Sequence, residues 1–462
     1  MKRLILFSAL AGFAISAVAQ TRLSLEECIE LAKTNNKRIE AANYSLSAGE
    51  YEQKSAKALF FPNLTLTGNA IYTTANGSYD SGGGQLPIVE GGAISPDKYA
   101  LFPGLKLSYD VDWLASAGVK IEQPIYMGGK IQTGYRMSKL ANNIYRQNKR
   151  LTESEIVVAT SKAYANMVKA GELLKVANSY NSLLTELLRT VESAYRHGVK
   201  QKNDVLKVKV KLNESELNMR KAENALRLAK MNLCHEIGRP IDDDIETTTD
   251  LPDVSPEKDA QHDIFDRPEY LIVESQSDLA KENIALAKSD YMPQVGLVGQ
   301  YGYANGIKLN GSKLIDNWNF LVGVQVSIPL YDFGHRTNKI KSAKAQYAKA
   351  LADRQYTDEM LSLEVAQSYN NLDEAFLEKQ LAASTVESAN ENLRTSRLQY
   401  EKGTETLSDY LEAQTIWQQA QQTEIEARIN CYVKWLEYRK SVGRINRLDG
   451  SSDFFAEETT GD

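Results

Sequence analysis

Residues 123–130 read QPIYMGGK, and residues 328–335 read IPLYDFGH. Both stretches have proline at the second place, tyrosine at the fourth and glycine at the seventh, and they lie 205 residues apart. The same spacing relates further residues of the two halves: Trp113, Tyr164, Tyr195, Gly198, Asp204 and Gly238 correspond to Trp318, Tyr369, Tyr400, Gly403, Asp409 and Gly443. Solenoid repeats have periods of about 20–50 residues. The chain is therefore predicted to use one whole subdomain twice.

Upstream of Trp113 the spacing between the halves changes. The matched residues there have an offset of 231: Ala56, Lys57 and Pro62 correspond to Ala287, Lys288 and Pro293. The difference between the two offsets predicts one insertion, which we place in the glycine-rich segment 75–112. We expect this segment to be a long surface loop at the tip of a strand hairpin, away from the helices. A ligand-binding loop is the alternative interpretation.

The repeats divide the chain into five predicted regions. Lys2 and Arg3, an apolar run and the A-x-A site at 17–19 are typical of a secretion signal. The predicted regions are a signal peptide over 1–19, a first repeat over 20–238, a linker over 239–266, a second repeat over 267–443 and an acidic tail over 444–462. Each repeat is expected to hold a helix, a β-hairpin and an α-hairpin. We expect the polar tail to be disordered.

The α-hairpins are the longest predicted elements. Residues 130–197 and 335–402 contain no proline, and each stretch predicts a helix of roughly 100 Å at 1.5 Å per residue. Gly198 and Gly403 are the predicted hairpin turns, because glycine is favoured just past a helix end. Asn203 and Ser408 are the predicted starts of the returning helices. Further helices are predicted over 24–59 and 268–291. Helices of this length need lateral neighbours, as in coiled coils.

Four short segments alternate between apolar and polar residues, which predicts strands of about ten residues. Phe320, Val322 and Val324 illustrate the alternation. The predicted junctions between strands and helices are Pro62, Pro124, Gly129, Pro293, Pro329 and Gly334. The aromatic residues Tyr72, Trp113, Tyr301 and Trp318 are placed at the strand ends away from the helices, where a membrane protein carries an aromatic girdle. The alternative is a small soluble β-layer. Because a small barrel needs about eight strands, membrane strands would have to be shared between copies.

Composition narrows the function classes further. The net charge of −6 argues against nucleic acid as a partner. The three cysteines have no paired spacing, so we predict small buried side chains without a disulfide framework. The four histidines lack metal-binding spacing, and no nucleophile motif occurs. The sequence therefore predicts no enzyme, no cofactor and no metal site.

The duplication and the motifs around 123–130 and 328–335 resemble those of TolC-type outer-membrane efflux proteins, over about Leu23 to Ile445. The resemblance implies a mainly α fold with a membrane β-barrel contribution. Three copies would supply four strands each to a 12-stranded barrel in the outer membrane of a Gram-negative-type bacterium. Their α-hairpins would form a periplasmic α-barrel. It also implies an exit duct, docked to a periplasmic adaptor and an inner-membrane pump, for small toxic molecules or polypeptides. A periplasmic coiled-coil adaptor or a scaffold without a barrel is the alternative.

The resemblance also implies a narrow aperture beside the α-hairpin turns. Carried over by position, its residues are Asn203, Asp204, Tyr400, Glu405, Asp409 and Glu412. Glu405 stands where the family pattern has arginine, so the family's closing contacts do not carry over directly, and Lys200 or Lys202 could pair with it instead. Asp204 and Asp409 have an alternative role, because a carboxylate near the start of a helix also stabilises the helix.

Overall fold

The computed structural model describes residues 21–248, 251–252, 254 and 264–445. The predicted signal peptide lies outside these residues, as do parts of the linker and residues 446–462 of the tail. Ile445 is described, and it is buried in a hydrophobic core rather than exposed. The predicted start of the disordered tail at residue 444 is therefore wrong, because the chain is still packed at Ile445.

Seven helices are described, and most of the described chain is helical. Their bounds are α1 Leu25–Asn35, α2 Lys37–Ala58, α3 Lys130–Arg196, α4 Lys202–Glu236, α5 Pro268–Ser289, α6 His335–Lys402 and α7 Leu407–Ser441. The two longest helices have 67 and 68 residues, which confirms the predicted lengths. Among the described residues, no helix combines the length and the apolar composition needed to cross a membrane.

The helix predicted over 24–59 is two helices, because Asn36 interrupts it. Asn36 has an extended backbone with ψ of 127°. Its side-chain oxygen accepts a hydrogen bond from the Arg38 backbone N–H at 2.9 Å, and its side-chain nitrogen donates to the Glu236 carbonyl at 2.9 Å. Asparagine competes in this way with the helical hydrogen bonds of the backbone. A single asparagine does not disturb the helical periodicity of the sequence, so the break was missed.

The described residues contain eight strands in three sheets. Their bounds are β1 Thr21–Leu23, β2 Asn63–Asp80, β3 Gly84–Glu90, β4 Ala93–Phe102, β5 Lys106–Met127, β6 Ile245–Thr247, β7 Gln294–Leu309 and β8 Ser312–Ser327. The largest sheet is antiparallel in the order β2-β5-β7-β8. Its strands have 16 to 22 residues, so the predicted length of about ten was too short. Strands β1 and β6 pair in parallel. Strand β1 lies in the predicted first repeat and β6 in the predicted linker, and neither strand was predicted.

The predicted loop over 75–112 is mostly strand. Strand β2 continues to Asp80, strand β5 begins at Lys106, and β3 and β4 form a further hairpin between them. The glycines that suggested a loop lie at turns, where Gly82, Gly91 and Gly92 have φ of 65°, 61° and 83°. Glycine adopts these angles without the steric cost of a side chain. The prediction of a long surface loop over 75–112 was therefore wrong, because strands occupy most of these residues.

The duplication extends to the strand register. Asn63 pairs with Glu122 in the first hairpin, and Gln294 pairs with Ser327 in the second. Adding 231 to a β2 residue and 205 to its β5 partner gives a pair of the second hairpin at every position from Asn63 to Tyr72. The two hairpins are therefore the same element, built twice.

The described chain divides into two compact units. The helical unit comprises the described parts of residues 1–46, 144–274 and 353–462, and the sheet unit comprises residues 47–143 and 275–352. The main core of the helical unit joins α1, α3, α4 and α7 and includes Cys28, Ile156, Leu233 and Leu436. A second core lies near the starts of α4 and α7 and includes Leu187. Leu187 and Phe376 lie on the apolar stripes of α3 and α6; Leu187 is buried in this second core, and Phe376 packs at the edge of two other cores.

Candidate functional site

The two α-hairpin turns have the same backbone. Gly198 and Gly403 have φ of 77° and 76°, a region in which residues other than glycine are strained. The Val199 N–H donates to the Ala194 carbonyl at 2.9 Å, and the Thr404 N–H donates to the Gln399 carbonyl at 3.0 Å. Bonds of this span close a helix end in the Schellman motif. Both glycines therefore end a long helix so that the chain can reverse.

The returning helices begin at Lys202 and Leu407, one residue before the predicted starts Asn203 and Ser408. Their N-cap residues are Gln201 and Thr406, and not Asn203 and Ser408. The Gln201 N–H donates to Asp204 Oδ2 at 3.2 Å, and the Asp409 N–H donates to Thr406 Oγ1 at 3.2 Å. Asp204 and Asp409 thus occupy the same third position of α4 and α7. Each carboxylate helps to stabilise its helix start, where the helix dipole favours negative charge.

Tyr400 joins the tips of the two α-hairpins. Its ring stacks on that of Tyr410, with centroids 5.1 Å apart and planes 16° apart. Lys200 Nζ lies 4.9 Å from the centroid of the Tyr400 ring, within the range of a cation–π interaction. Burial, and secondly the negative charge of Asp204, raises the pKa of Tyr400. The structure therefore brings together two of the predicted aperture residues, Asp204 and Tyr400.

Glu405 is half-buried beside the second turn. Its Oε2 atom is buried and has no hydrogen-bond partner among the described residues. Within the described chain no ion pair joins Glu405 to Lys200 or Lys202, so the expected pair is not formed inside one copy. The Lys200 ammonium lies over Tyr400 instead.

The remaining aperture candidates lie beside a groove between α4 and α7. Asn203 and Glu412 line this groove, which has a volume of about 510 Å³. Lys207 Nζ donates to Ser408 Oγ at 3.1 Å across it. Asp409 is exposed, as is Glu412. The groove was not predicted, although the sequence held a signal for it: Leu206 and Val210 are exposed apolar residues one helical turn apart on α4.

The predicted strand–helix junctions lie at the ends of the large sheet. Pro62 and Pro293 immediately precede β2 and β7, and Pro329 follows β8. Pro124 lies in β5 at a register shift, beyond the last residue of β5 that pairs with β2. Proline has no N–H to donate, so it is tolerated at strand ends and bulges. Gly129 and Gly334 directly precede α3 and α6, with φ of 84° and 88°.

The aromatic residues predicted for a girdle lie in cross-strand contacts. The rings of Tyr72 and Trp113 are 5.2 Å apart, as are those of Tyr301 and Trp318. All four side chains are exposed, and so are the aliphatic residues of β8 such as Val322 and Val324. An exposed apolar area of this kind, with aromatic residues beside it, is typical of a surface that faces lipid.

The cysteines are buried, as predicted, and Cys28, Cys234 and Cys431 are free thiols. Burial raises the pKa of Cys28 to about 12, which makes its thiol unreactive at neutral pH. Among the described residues, no group of three histidine, cysteine or acidic side chains could hold a metal ion.

Comparison with known proteins places this geometry in a family. The sequence profile of the family described as "Outer membrane efflux protein" matches residues 28–239 and 267–444, one stretch in each half. The chain is 22% identical to the outer membrane protein TolC of Vibrio cholerae, over 77% of this chain and 85% of that protein. It is 20% identical to the proteases secretion protein PrtF of Dickeya chrysanthemi, over 94% of this chain and 91% of that protein.

A solved structure has the same fold. The outer membrane channel CmeC of Campylobacter jejuni superposes with a TM-score of 0.74 at 16% identity, over 91% of this chain and 86% of that chain. The duplication, the shared sheet register and the two matched stretches agree, and the chain belongs to the outer membrane efflux protein family.

Proposed function

We propose that three copies of this chain assemble into one outer-membrane channel, which serves as the exit duct of a tripartite efflux or type I secretion system. The observation that carries the proposal is the open four-stranded sheet. Its edge strands, β2 and β8, have no partner among the described strands, and its apolar side chains are exposed. Four strands cannot close a barrel, whereas three copies would supply twelve. The exposed apolar side chains of the sheet would contact the lipid of the outer membrane.

The proposed partners follow from the relatives. The TolC and PrtF relatives are named as an outer membrane protein and a secretion protein. We assign this chain a periplasmic adaptor and an inner-membrane pump as its partners, and no nucleic acid. The family is one of transport proteins, which supports a role without enzymatic activity or cofactor.

The proposed organisation follows the sequence division. The signal peptide over 1–19 would direct export, the repeats 20–238 and 267–443 would each supply one β-hairpin and one α-hairpin, and 239–266 would connect them. The acidic segment after Ile445 would take no part in the channel, whereas Ile445 itself packs in the core of the helical unit.

The aperture would be formed at the α-hairpin tips. Asn203, Asp204, Tyr400, Glu405, Asp409 and Glu412 are the proposed residues, with Gly198 and Gly403 as the turns beside them. The contact between Tyr400 and Lys200 and the electrostatic effect of Asp204 on Tyr400 support a common location. In a trimer each acidic side chain would occur three times around one axis. Rings of carboxylates favour cations, so the closed channel would be cation-selective.

Channel function can be tested with the purified protein in planar lipid bilayers. We expect stepwise conductance and block by trivalent cations from the periplasmic side. Deletion of the gene, followed by a screen for sensitivity to toxic compounds and for loss of secreted polypeptides, would identify the cargo class. A protein that stays in the soluble periplasmic fraction and forms no conducting pore would favour the adaptor or scaffold interpretation.

A further inference from the structure

The repeat predicts a contact that a single chain does not contain. The first hairpin consists of β2 and β5, and the second consists of β7 and β8. Within one chain the hairpins are joined by the pairing of β5 with β7. A second contact between hairpins would pair β8 with β2, which are the two edge strands of the described sheet. Because both hairpins have the same internal register, the missing contact should repeat the one that is present.

The assembly proposed above already brings β8 of one copy beside β2 of its neighbour, and we propose that these strands pair in the register set by the repeat and that Phe333 packs at the junction beside them. The inference rests on the assembly of several copies proposed above. Val119 pairs with Tyr301 between β5 and β7. Adding 205 to the number of Val119 gives Val324, and subtracting 231 from that of Tyr301 gives Ala70. Val324 of one copy is therefore predicted to pair with Ala70 of its neighbour. In the same way, the pair of Tyr126 and Val295 becomes Tyr331 and Leu64.

The junction within one chain explains why position 128 is glycine. A Cβ atom on Gly128 would lie 2.5 Å from Met292 Cβ and 2.7 Å from the Ser289 carbonyl oxygen. Gly128 is therefore packed tightly against the turn that follows α5. Its backbone has a φ of 64°.

Phe333 is the counterpart of Gly128 in the second repeat. It keeps the left-handed backbone, with a φ of 53°, although a bulky residue is strained there. Strain of this kind persists where the surroundings or a function maintain it. The Phe333 side chain is 90% exposed and Leu330 is 91% exposed, and the Phe333 ring lies 4.8 Å from that of Tyr331. The single chain therefore presents an apolar surface at this junction.

The counterpart of the turn after α5 is the turn after α2. The Met292 N–H donates to the Ser289 carbonyl at 3.1 Å, and the Phe61 N–H donates to the Ala58 carbonyl at 3.0 Å. This second turn also presents apolar side chains, since Leu59 is 61% and Phe61 is 62% exposed. Both surfaces continue directly from the edge strands β8 and β2. A second copy of the chain is therefore the occupant that fits Phe333.

The junction between copies cannot be identical to the one within a chain. The space at Gly128 admits no Cβ, whereas Phe333 has a Cβ and a ring. The turn after α2 must therefore lie farther from Phe333 than the turn after α5 lies from Gly128. The Phe333 ring fills the added space, against Leu59 and Phe61 of the neighbouring copy.

Paired cysteines test the register. The native cysteines are buried, so introduced thiols can be oxidised selectively. Val324→Cys with Ala70→Cys places two thiols on directly paired residues, within the Cα separation that a disulfide spans. Val324→Cys with Asn69→Cys is the matched control, because it is shifted by one residue and points to the opposite face. We expect disulfide-linked copies for the first pair alone.

The mass of the complex before oxidation shows whether the copies assemble at all, and the cross-linking then tests the register of the paired strands. Efficient cross-linking of the shifted pair, or an oligomer that neither pair cross-links, would overturn the register. A protein that remains a monomer in detergent would overturn the proposed function as well.

Substitutions at position 333 test the packing. Phe333→Ala should lower the temperature at which the oligomer dissociates by about 5 °C or more, because it leaves a cavity between copies. Phe102→Ala is the control, since that exposed ring lies on β4 outside the large sheet. Phe333→Gly distinguishes the two roles of the residue. Glycine removes the backbone strain, so a purely local role predicts a more stable oligomer, whereas packing between copies predicts a weaker one. An oligomer strengthened by Phe333→Gly would overturn this part of the inference.

Discussion

Thr406 and Asp409 form a reciprocal contact at the start of α7. Thr406 Oγ1 accepts a hydrogen bond from the Asp409 backbone N–H at 3.2 Å and donates one to Asp409 Oδ2 at 2.7 Å. The threonine hydroxyl caps the backbone, and the exposed carboxylate adds negative charge beside the turn at Gly403. Capping and charge therefore come from two different side chains, and substitutions can separate them.

Asp409→Ala should lower the cation selectivity of the channel in planar bilayers. The substitution removes three carboxylates from the assembled channel but keeps the bond from the residue 409 N–H to Thr406. Its cost in stability should be at most about 1 kcal/mol, the usual contribution of a charge at a helix end. Thr406→Ala is the control, because it removes the cap and keeps the charge. A loss of selectivity in the control, or unchanged selectivity and trivalent-cation block in Asp409→Ala, would leave only the helix-cap role.

Leu187→Asp should destabilise the helical unit by about 3 kcal/mol or more, because it places an unpaired charge in a core. Leu187 is buried in α3 with Leu184 and Val191. Leu217→Asp is the control, since Leu217 is exposed on α4. Thermal unfolding followed by circular dichroism measures both variants. Equal unfolding temperatures for the wild type and Leu187→Asp would mean that this stripe of α3 is misassigned.

Removal of the β3–β4 hairpin should leave assembly intact. The Ser81 N–H donates to the Leu105 carbonyl at 3.1 Å, and the Leu105 N–H donates to Ser81 Oγ at 2.7 Å. Deleting 83–103 joins Gly82 to Gly104 and leaves a two-glycine turn between these bonded residues, a composition that suits tight hairpins. We expect the oligomer mass and its dissociation temperature to be unchanged. A control deletion that also removes 76–80 and 106–110 shortens the large sheet and should weaken the oligomer. Loss of assembly in the short deletion would show that the hairpin is structural.

The Asp290–Lys339 ion pair should make a small contribution to stability that disappears in acid. Lys339 Nζ donates to Asp290 Oδ2 at 2.6 Å, and this bond lowers the pKa of Asp290 from its ordinary value of 3.8. Since the folded-state pKa is the lower one, the stabilisation is present above 3.8 and is lost as the pH falls through the folded-state value. Because Lys339 is half exposed, the pair should contribute about 1 kcal/mol or less.

Chemical unfolding at pH 7 and pH 2.5 measures this effect. Asp290→Asn should be less stable than the wild type at pH 7, and the difference should shrink at pH 2.5. Asp97→Asn, at an exposed position of β4, serves as the control and should show no difference at either pH. A constant difference for Asp290→Asn would exclude this ion pair as its cause.

The repeat made much of the fold predictable. Both ends of α6, His335 and Lys402, were predicted correctly, because proline and glycine flank a long run without either. The strand lengths were not predictable in the same way. The register of β2 shifts after Tyr72, so the alternation of its side chains is interrupted there and the rest of the strand resembled a loop.

The candidate site was predictable in position but not in its contacts. Matching the repeats located Asp204 and Asp409 beside the turns, because helix starts depend on local sequence. The contact of Lys200 with Tyr400 depends on how the two α-hairpins pack against each other. This packing leaves no signal in the sequence of either hairpin alone. Phe333 lies at a surface that one chain leaves open, so the contact proposed for it leaves no signal in the pattern of one chain.

Native mass spectrometry of the detergent-extracted protein tests the central claim most directly, that copies of this chain share one barrel. Three chains in a single complex, with no smaller folded species at low concentration, is the result we predict. A folded monomer that inserts into bilayers and conducts on its own would contradict the claim, because its four strands would then have to form a pore without a neighbour.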